Sequence, residues 1–226
     1  MKLKNVLSVL TALLLVFALT GCGKTDNSSL QTDHSVSNQR GTKVSSSDIT
    51  PEDGSDILVV YFSRTGEQYG VGVISKGNTE IVAEMIAEKT GADLYEIIPA
   101  QDHYPTTYNE LTDVAKQELN QNARPAYADT VPDLTKYRTV FIGAPVWWGD
   151  WPMIMYTFFE NEDLSGKTLI PFSTHAGSGL SGFDRKLKSA CPDSTVGKGL
   201  AISGKDAQNN PDKVSKSIDN WLKELG

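Results

Sequence analysis

The stretch YFSRTGEQYGVGVISKGNTEIVAEMI, residues 61–86, decides how the rest of this sequence is interpreted. Its Ser63-Arg64-Thr65-Gly66 has the hydroxyls and the glycine of a loop that surrounds a phosphate. Its Gly77-Asn78-Thr79-Glu80 has the composition of such a loop where it enters a helix. The polar segment Glu67–Lys76 separates these parts, which are either one anion site with an insertion or two unrelated turns.

Joining the two parts directly favours a single site. Without the eleven residues Glu67–Gly77 the sequence reads S-R-T-G-N-T-E, with a glycine for a tight turn and backbone N–H groups that face an anion at a helix N-terminus. Lengthening a surface loop by this much costs only about 1 kcal/mol of closure entropy. We therefore predict one phosphate site with an inserted segment, the alternative being a helix cap beside an unrelated turn.

The apolar pattern predicts an α/β fold. Apolar runs ended by turn residues are typical of strands buried on both faces of a parallel sheet, and they occupy residues 56–63, 94–98, 139–144, 167–173 and 199–202. Helical patterns alternate with them, from residue 79 and over residues 108–122, 152–160, 180–189 and 211–225. This alternation predicts an open five-stranded parallel sheet with helices on both faces. Pro171 removes a backbone donor from the fourth strand, where we expect a bulge or bend.

Two more loops follow carboxyl ends of strands, where the ligands of such sheets bind. The third strand leads into Ala144-Pro145-Val146-Trp147-Trp148-Gly149, and the fourth into Phe172-Ser173-Thr174-His175-Ala176-Gly177-Ser178-Gly179. The two indoles offer flat faces to an aromatic ring, although one of them is expected to pack in the core. Residues 177–182 spell G-x-G-x-x-G, but they follow the fourth strand and no acidic residue ends the next one, so we reject a dinucleotide site.

Taken together, the three loops resemble those of the flavodoxin family. More specifically, the chain resembles flavodoxin-like proteins with a Pro-x-Trp-Trp segment after the third strand, from Asp56 to its last residue. The resemblance implies strand order 2-1-3-4-5 and FMN as the cofactor, with the chemistry on the flavin and no catalytic side chain. It implies cofactor contacts from Ser63, Arg64, Thr65, Asn78, Thr79, Pro145, Val146, Trp147, Trp148, Gly149, Thr174, His175, Gly177, Ser178 and Gly179.

The same resemblance implies individual roles for some of these residues. It favours Trp147 over Trp148 as the contact of the flavin ring. A peptide near Gly149 would turn its carbonyl or N–H towards flavin N5 as the redox state changes. The loop that contains His175 would line the pyrimidine edge of the flavin. The tyrosine that stacks on the ring in other flavodoxins has no clear counterpart, and Tyr69 is its nearest substitute.

The first 21 residues are predicted to be a secretory signal, with a basic start and an apolar run over residues 6–19. That run is shorter than the roughly 20 residues of a membrane-spanning helix. Leu19-Thr20-Gly21-Cys22 resembles the lipobox of bacterial lipoproteins, which implies acylation of Cys22; a signal cut elsewhere and an uncleaved anchor are the alternatives. Residues 22–55 have the polar composition of a flexible tether, and residues 56–226 are predicted to form one flavodoxin-like domain.

Composition excludes several classes of function. The formal net charge is −7, or −9 once Lys2 and Lys4 are removed with residues 1–21, and no dense basic run exists, so nucleic acid is not an expected partner. Neither the spacing of metal ligands nor a G-x-S-x-G elbow is present, which argues against a metal site and an acyl-transfer hydrolase. Cys191, the second of two cysteines, is expected to be a small buried apolar residue.

These observations lead us to expect an FMN-binding electron-transfer protein, lipid-anchored to the outer face of a bacterial cytoplasmic membrane. Its partner would be a redox protein or a small quinone-like acceptor, and the acidic composition is expected to lower the flavin's reduction potential. One alternative is an FMN-dependent NAD(P)H:quinone-type reductase, whose pocket the inserted segment could build; the absence of a nicotinamide motif favours the carrier. The other is a non-redox binding module, because free FMN is scarce outside cells.

Overall fold

The computed structural model describes residues 55–128 and 130–226, so the predicted signal, Cys22 and residues 22–54 lie outside the described residues. The strands are β1 (Ile57–Tyr61), β2 (Gly66–Gln68), β3 (Gly72–Ile74), β4 (Asp93–Glu96), β5 (Thr139–Pro145), β6 (Thr168–His175), β7 (Thr195–Val196) and β8 (Leu200–Ser203). The helices are α1 (Asn78–Thr90), α2 (Tyr108–Gln121), α3 (Met153–Asn161), α4 (Phe183–Ala190), α5 (Gly204–Asn209) and α6 (Pro211–Leu225). Within the described ranges, no helix has the length and apolar character needed to cross a membrane.

The parallel sheet runs in the order β4-β1-β5-β6-β8. Counted along the five predicted strands this is 2-1-3-4-5, so the predicted sheet and its order are confirmed. The short β7 pairs with β6 at the same edge as β8. The direction of strand order reverses between β1 and β5, and the loops that leave these two strands therefore lie at the switch point where ligands of open α/β sheets bind.

Both faces of the sheet are buried, which explains why its strands read as unbroken apolar runs. Leu58 and Val60 of β1 belong to one core cluster, which α2, α3 and α4 cover with residues such as Leu111, Ile154 and Leu187. Val59 and Tyr61 belong to the other cluster, which α1 and α6 cover with residues such as Val82, Val214 and Trp221. Alternate residues of each strand thus serve two different cores.

The bulge expected at Pro171 is absent from its own strand, and that prediction was wrong. β6 is continuous through Pro171, which stays in register opposite Ile142 of β5. On its other side, β6 pairs with β7 at Thr168 and Leu169 and with β8 from Phe172 onwards. The ladder is therefore interrupted beside Pro171, where a proline has no N–H to donate. The edge of the sheet beside β6 therefore consists of two short strands, β7 and β8, and β6 itself is not bent.

Among the elements missed from the sequence are the hairpin of β2 and β3 and the helix α5. Most of the antiparallel hairpin, β2 with β3, lies in the predicted insertion; its strands have only three residues each and no apolar alternation, and its Gly66, Gly70 and Gly72 have positive φ. The second is α5, although Ser203 caps it by accepting the Asp206 N–H at 3.1 Å, a serine–acid spacing visible in the sequence. Helix α4 begins at Phe183, three residues later than predicted, because Ser181 and Gly182 are left-handed at φ 52° and 70°.

Candidate functional site

The two parts of the phosphate-like loop meet in space. A Cβ built on Gly77, which precedes α1, would lie only 2.0 Å from Ser63 Oγ. Ser63 Oγ accepts a hydrogen bond from the Glu80 N–H at 3.0 Å, and the Glu80 carboxylate accepts one from the Gly77 N–H at 3.1 Å. Because glycine has no side chain with which to cap a helix, Ser63 supplies the cap from the far side of the hairpin. The two parts therefore form one loop rather than two unrelated turns.

The first turn of α1 offers two backbone donors to an anion. Asn78 and Thr79 are its first residues, and N–H groups at such positions have no intrahelical partner. The Asn78 side chain is positioned by α5, since Gln208 Nε2 donates to Asn78 Oδ1 at 2.9 Å and a Cβ on Gly204 would lie 2.6 Å from Asn78 Nδ2. Free N–H groups and the helix dipole together favour a phosphate at this point.

A hydrogen bond between hydroxyls joins this helix end to the carboxyl end of β6. Thr79 Oγ1 and Thr174 Oγ1 are 2.8 Å apart. The two residues are only 1% and 3% exposed, so the bond is shielded from water. Two of the predicted site residues, 95 positions apart in sequence, are thus in direct contact.

The Arg64 side chain is engaged elsewhere. Its Nη1 donates to Asp102 Oδ1 at 2.9 Å, and its Nη2 donates to the Tyr104 carbonyl at 2.8 Å. The guanidinium carbon also lies 5.4 Å from the centroid of the Tyr104 ring. Arg64 thus holds the loop between β4 and α2, and only its backbone remains in the phosphate-like loop beside the exposed Thr65.

Residues Trp147–Asp150 form a tight turn after β5. The N–H of each end residue donates to the carbonyl of the other at 2.9 Å, and the central Trp148 and Gly149 have φ of 52° and 77°. Positive φ at both central positions is typical of a type I′ turn, which glycine adopts freely and tryptophan rarely. Lys186 Nζ donates to the Gly149 carbonyl and lies 3.2 Å from Asp150 Oδ1. The turn is thus held in place from α4.

The two tryptophans have different surroundings. Trp147 packs edge-on against the core, its ring centroid 5.5 Å from that of Phe62 and 5.3 Å from that of Tyr104. Trp148 is 53% exposed, and its Nε1 donates to the Thr112 carbonyl at 2.9 Å. Trp147 is therefore partly buried against the core cluster and also lines the pocket described below, whereas Trp148 is largely exposed, so neither tryptophan of the pair is a fully buried core residue.

All three loops open into one pocket of about 380 Å³. Seven predicted site residues line it: Asn78, Pro145, Val146, Trp147, Trp148, Thr174 and His175. The other predicted residues are not part of this lining: Ser63, Arg64, Thr65 and Thr79 at the phosphate-like loop, Gly149 in the turn, and Gly177, Ser178 and Gly179 after His175. Among the residues that the structure describes, no lysine or arginine lines the pocket. An anion bound here would therefore be held by neutral donors and the helix dipole.

A further part of the lining comes from the hairpin, α2 and α5, and only its Tyr69 was named as a candidate contact from the sequence. It consists of Glu67, Gln68, Tyr69 and Val71 from the hairpin, Tyr108, Leu111, Thr112 and Ala115 from α2, and Gly204 from α5. Glu67 fixes the hairpin to α2, because its N–H donates to the Thr106 carbonyl at 2.7 Å and its carboxylate accepts the Tyr108 N–H at 2.9 Å. The amphipathic pattern of α2 was visible in the sequence, but the contact of α2 with the hairpin was not.

The loop after β6 fixes the ionisation of His175. The Gly177 N–H donates to His175 Nδ1 at 2.9 Å, which requires a lone pair on that nitrogen. Burial lowers the pKa of His175 below its ordinary value, while the charge of Asp206 opposes this effect. His175 is therefore a neutral imidazole near pH 7.

A second histidine lies behind Trp147, outside the pocket. Glu118, buried on α2, accepts a hydrogen bond from the Tyr104 hydroxyl at 3.1 Å and is bonded at 2.9 Å to His103 Nε2. The hydrogen bond to Glu118 raises the pKa of His103. Cys191 is 6% exposed, which confirms the buried cysteine expected from the sequence, and this burial raises the pKa of its thiol to about 11. No cluster of metal-ligating side chains occurs in the described part of the chain.

Comparison with solved structures identifies two similar proteins from Bacteroides. A candidate flavoprotein from Bacteroides eggerthii is 32% identical, with a TM-score of 0.60 over 75% of this chain and 96% of its own. Another from Bacteroides uniformis is 30% identical, with a TM-score of 0.60 over 75% of this chain and 99% of its own. No curated protein sequence matches the chain.

More distant structures share the fold. A flavoprotein from Lactobacillus acidophilus, solved in complex with FMN, is 19% identical, with a TM-score of 0.55 over 74% of this chain and 97% of its own. The sequence profile of the Flavodoxin family matches residues 56–221, which contain the whole parallel sheet and all three loops of the pocket. The chain therefore belongs to the flavodoxin family.

Proposed function

We propose that this protein is an FMN-binding electron-transfer protein, anchored outside the cytoplasmic membrane through a lipid on Cys22. The observation that carries the proposal is the single pocket in which a helix N-terminus, two indoles and a hydrogen-bonding loop come together. These three features suit the phosphate, the ring face and the ring edge of FMN, in that order. The lipobox-like sequence before Cys22 supports the anchor, and residues 22–55 would supply the tether.

The side chains and backbone groups present fit FMN. The N–H groups of Asn78 and Thr79 would hold the phosphate, as in other anion sites at helix N-termini. The indole faces of Trp147 and Trp148 suit the flavin ring, since such stacking is worth about 0.5–1.5 kcal/mol beyond burial of area. Bound there, FMN supplies the capacity to accept and release electrons, and the protein supplies binding, orientation and electrostatics.

The size of the pocket favours a carrier over a reductase. At about 380 Å³ it lies near the lower end of the roughly 300–1,000 Å³ that is typical of ligand sites, so a flavin leaves little room for a second substrate. The exposed Trp148 and Tyr69 lie at the rim of the pocket, where a redox partner could approach the ring. A carrier needs only such an exposed edge.

The hairpin is the one observation that favours a reductase. Its residues Glu67–Val71 cover one side of the pocket, and a small movement of this wall would admit a quinone-like molecule. Steady oxidation of NAD(P)H in the presence of a quinone by the purified protein alone would establish that alternative. A carrier would show no such turnover until a separate reductase is added.

The first experiment is the visible absorption spectrum of the full-length protein, with identification of any chromophore released on denaturation. We expect a flavin spectrum and release of FMN. A colourless protein that also fails to bind added FMN would contradict the proposal and support a binding module without redox function. Globomycin-sensitive processing and incorporation of labelled palmitate, both abolished by Cys22→Ala, would test the anchor separately.

A further inference from the structure

We propose that His175 is a hydrogen-bond donor to the flavin ring, through an Nε2–H that the backbone of its own loop fixes in place. This inference rests on the proposed function, because it assigns a role within the same pocket. It goes beyond a general contact by naming the tautomer, the donor atom and the part of the cofactor that it binds.

The tautomer follows from one hydrogen bond. Because the Gly177 N–H donates to His175 Nδ1 at 2.9 Å, the proton of a neutral imidazole must be on Nε2. The lowered pKa of His175 is consistent with this neutral form. The Nδ1 edge of the ring is turned back towards Gly177, so the opposite edge, with Nε2–H, is the one available to a ligand in the pocket that His175 lines.

Strand geometry places this donor away from the phosphate. Successive side chains of a strand point to opposite faces of the sheet. Thr174 points to the face covered by α1, where its hydroxyl meets that of Thr79 at the helix N-terminus. His175 is the next residue and so points to the other face, on which Trp147 packs against the core cluster of Leu58 and Val60. A donor on the tryptophan side of the sheet is matched to the flavin ring rather than to its phosphate.

Two acidic side chains near His175, Asp206 and Glu67, are each bonded to another partner. The negative charge of Asp206, in α5, tends to raise the pKa of His175, but Asp206 is itself bonded at 2.7 Å to Lys213 of α6. Glu67, on the opposite wall of the pocket, is committed to the Tyr108 N–H. The pyrimidine-side oxygens of the flavin ring accept hydrogen bonds and gain negative charge on reduction, so a neutral donor stabilises the reduced ring more than the oxidised ring.

The test compares His175→Ala and His175→Gln with the unchanged protein, using FMN and riboflavin as ligands. Riboflavin has the same ring and no phosphate. We expect His175→Ala to weaken binding of both ligands by the same factor, about 3–10-fold for one neutral hydrogen bond. His175→Gln, whose amide places a donor near the position of Nε2, should restore most of the affinity. Reduction with dithionite should widen the difference between the two variants.

Several outcomes would overturn the inference. A loss seen with FMN but absent with riboflavin would assign His175 to the phosphate, and equal affinities for all three proteins would remove its role. Nitrogen NMR of His175 in the cofactor-free protein gives an independent readout, and a proton on Nδ1 at pH 7 would contradict the tautomer. If the unchanged protein binds neither ligand, the proposed function and this inference both fail; if it binds both and the variants match it, only the inference fails.

Discussion

The hydroxyl pair between Thr79 and Thr174 allows a quantitative test of how the helix end is attached to the sheet. Valine has nearly the shape of threonine, so Thr79→Val and Thr174→Val each remove one hydroxyl and leave its buried partner without a hydrogen bond. Leaving a buried polar group unsatisfied costs about 1–3 kcal/mol. Against a typical total stability of about 5–15 kcal/mol, each change should lower the free energy of unfolding measurably.

The double variant distinguishes this hydrogen bond from two independent effects. When both partners are replaced by apolar groups of the same shape, little or no penalty remains. We therefore expect the Thr79→Val, Thr174→Val protein to be more stable than either single variant. The assay is urea unfolding of the cofactor-free proteins, with the slope m compared to ensure that the same surface is exposed in each.

If the two single losses add in the double variant, the hydroxyls do not interact, and the contact between α1 and the carboxyl end of β6 is not held by this bond. A double variant that keeps its stability but loses FMN affinity would show that the hydroxyls also bind the phosphate. The stability of the cofactor-free protein and its affinity for FMN therefore answer separate questions.

Four further predictions concern the walls of the pocket and the two histidines His103 and His175. Tyr69→Ala should weaken FMN binding several-fold with little change in stability, because Tyr69 lines the pocket and is 63% exposed. The matched control is Val73→Ala, on the same hairpin, because Val73 is 83% exposed and does not line the pocket. Equal effects of the two substitutions on FMN affinity would contradict a contact between Tyr69 and the cofactor. Gly204→Ala should reduce FMN affinity in a binding titration, because its Cβ would lie 2.6 Å from Asn78 Nδ2; unchanged affinity would mean that Asn78 moves without consequence. Proton NMR should show His103 titrating above its ordinary pKa of 6.5 and His175 below it. Because the pKa of His103 is raised in the folded protein, protonation of His103 stabilises the folded state below pH 6.5, and this contribution is lost as pH rises through the folded-state pKa. His103→Gln should therefore lower the free energy of unfolding more at pH 5.5 than at pH 9. A difference that does not change with pH would refute this linkage.

The architecture could be read from the sequence because its signals are local. Five unbroken apolar runs, each ended by turn residues, require strands with both faces buried, and only a sheet between two helical layers provides this. The three loops could be placed at one edge for the same reason, since parallel strands bring their carboxyl ends together. The sequence therefore predicts that Asn78, Trp147 and His175 share one site, and they do line one pocket.

Other features depend on contacts between distant parts of the chain, and only the tertiary structure decided them. Arg64 was grouped with the phosphate-like loop, but its guanidinium is bonded to Asp102, a partner 38 residues away that no local pattern predicts. Pro171 was expected to bend its own strand, whereas the missing donor interrupts the strand beside it. The wall formed by the hairpin and α2 exists because Glu67 meets the N–H of Tyr108. Sequence periodicity determines which face of an element is buried, but the partner of that face is fixed by packing in three dimensions.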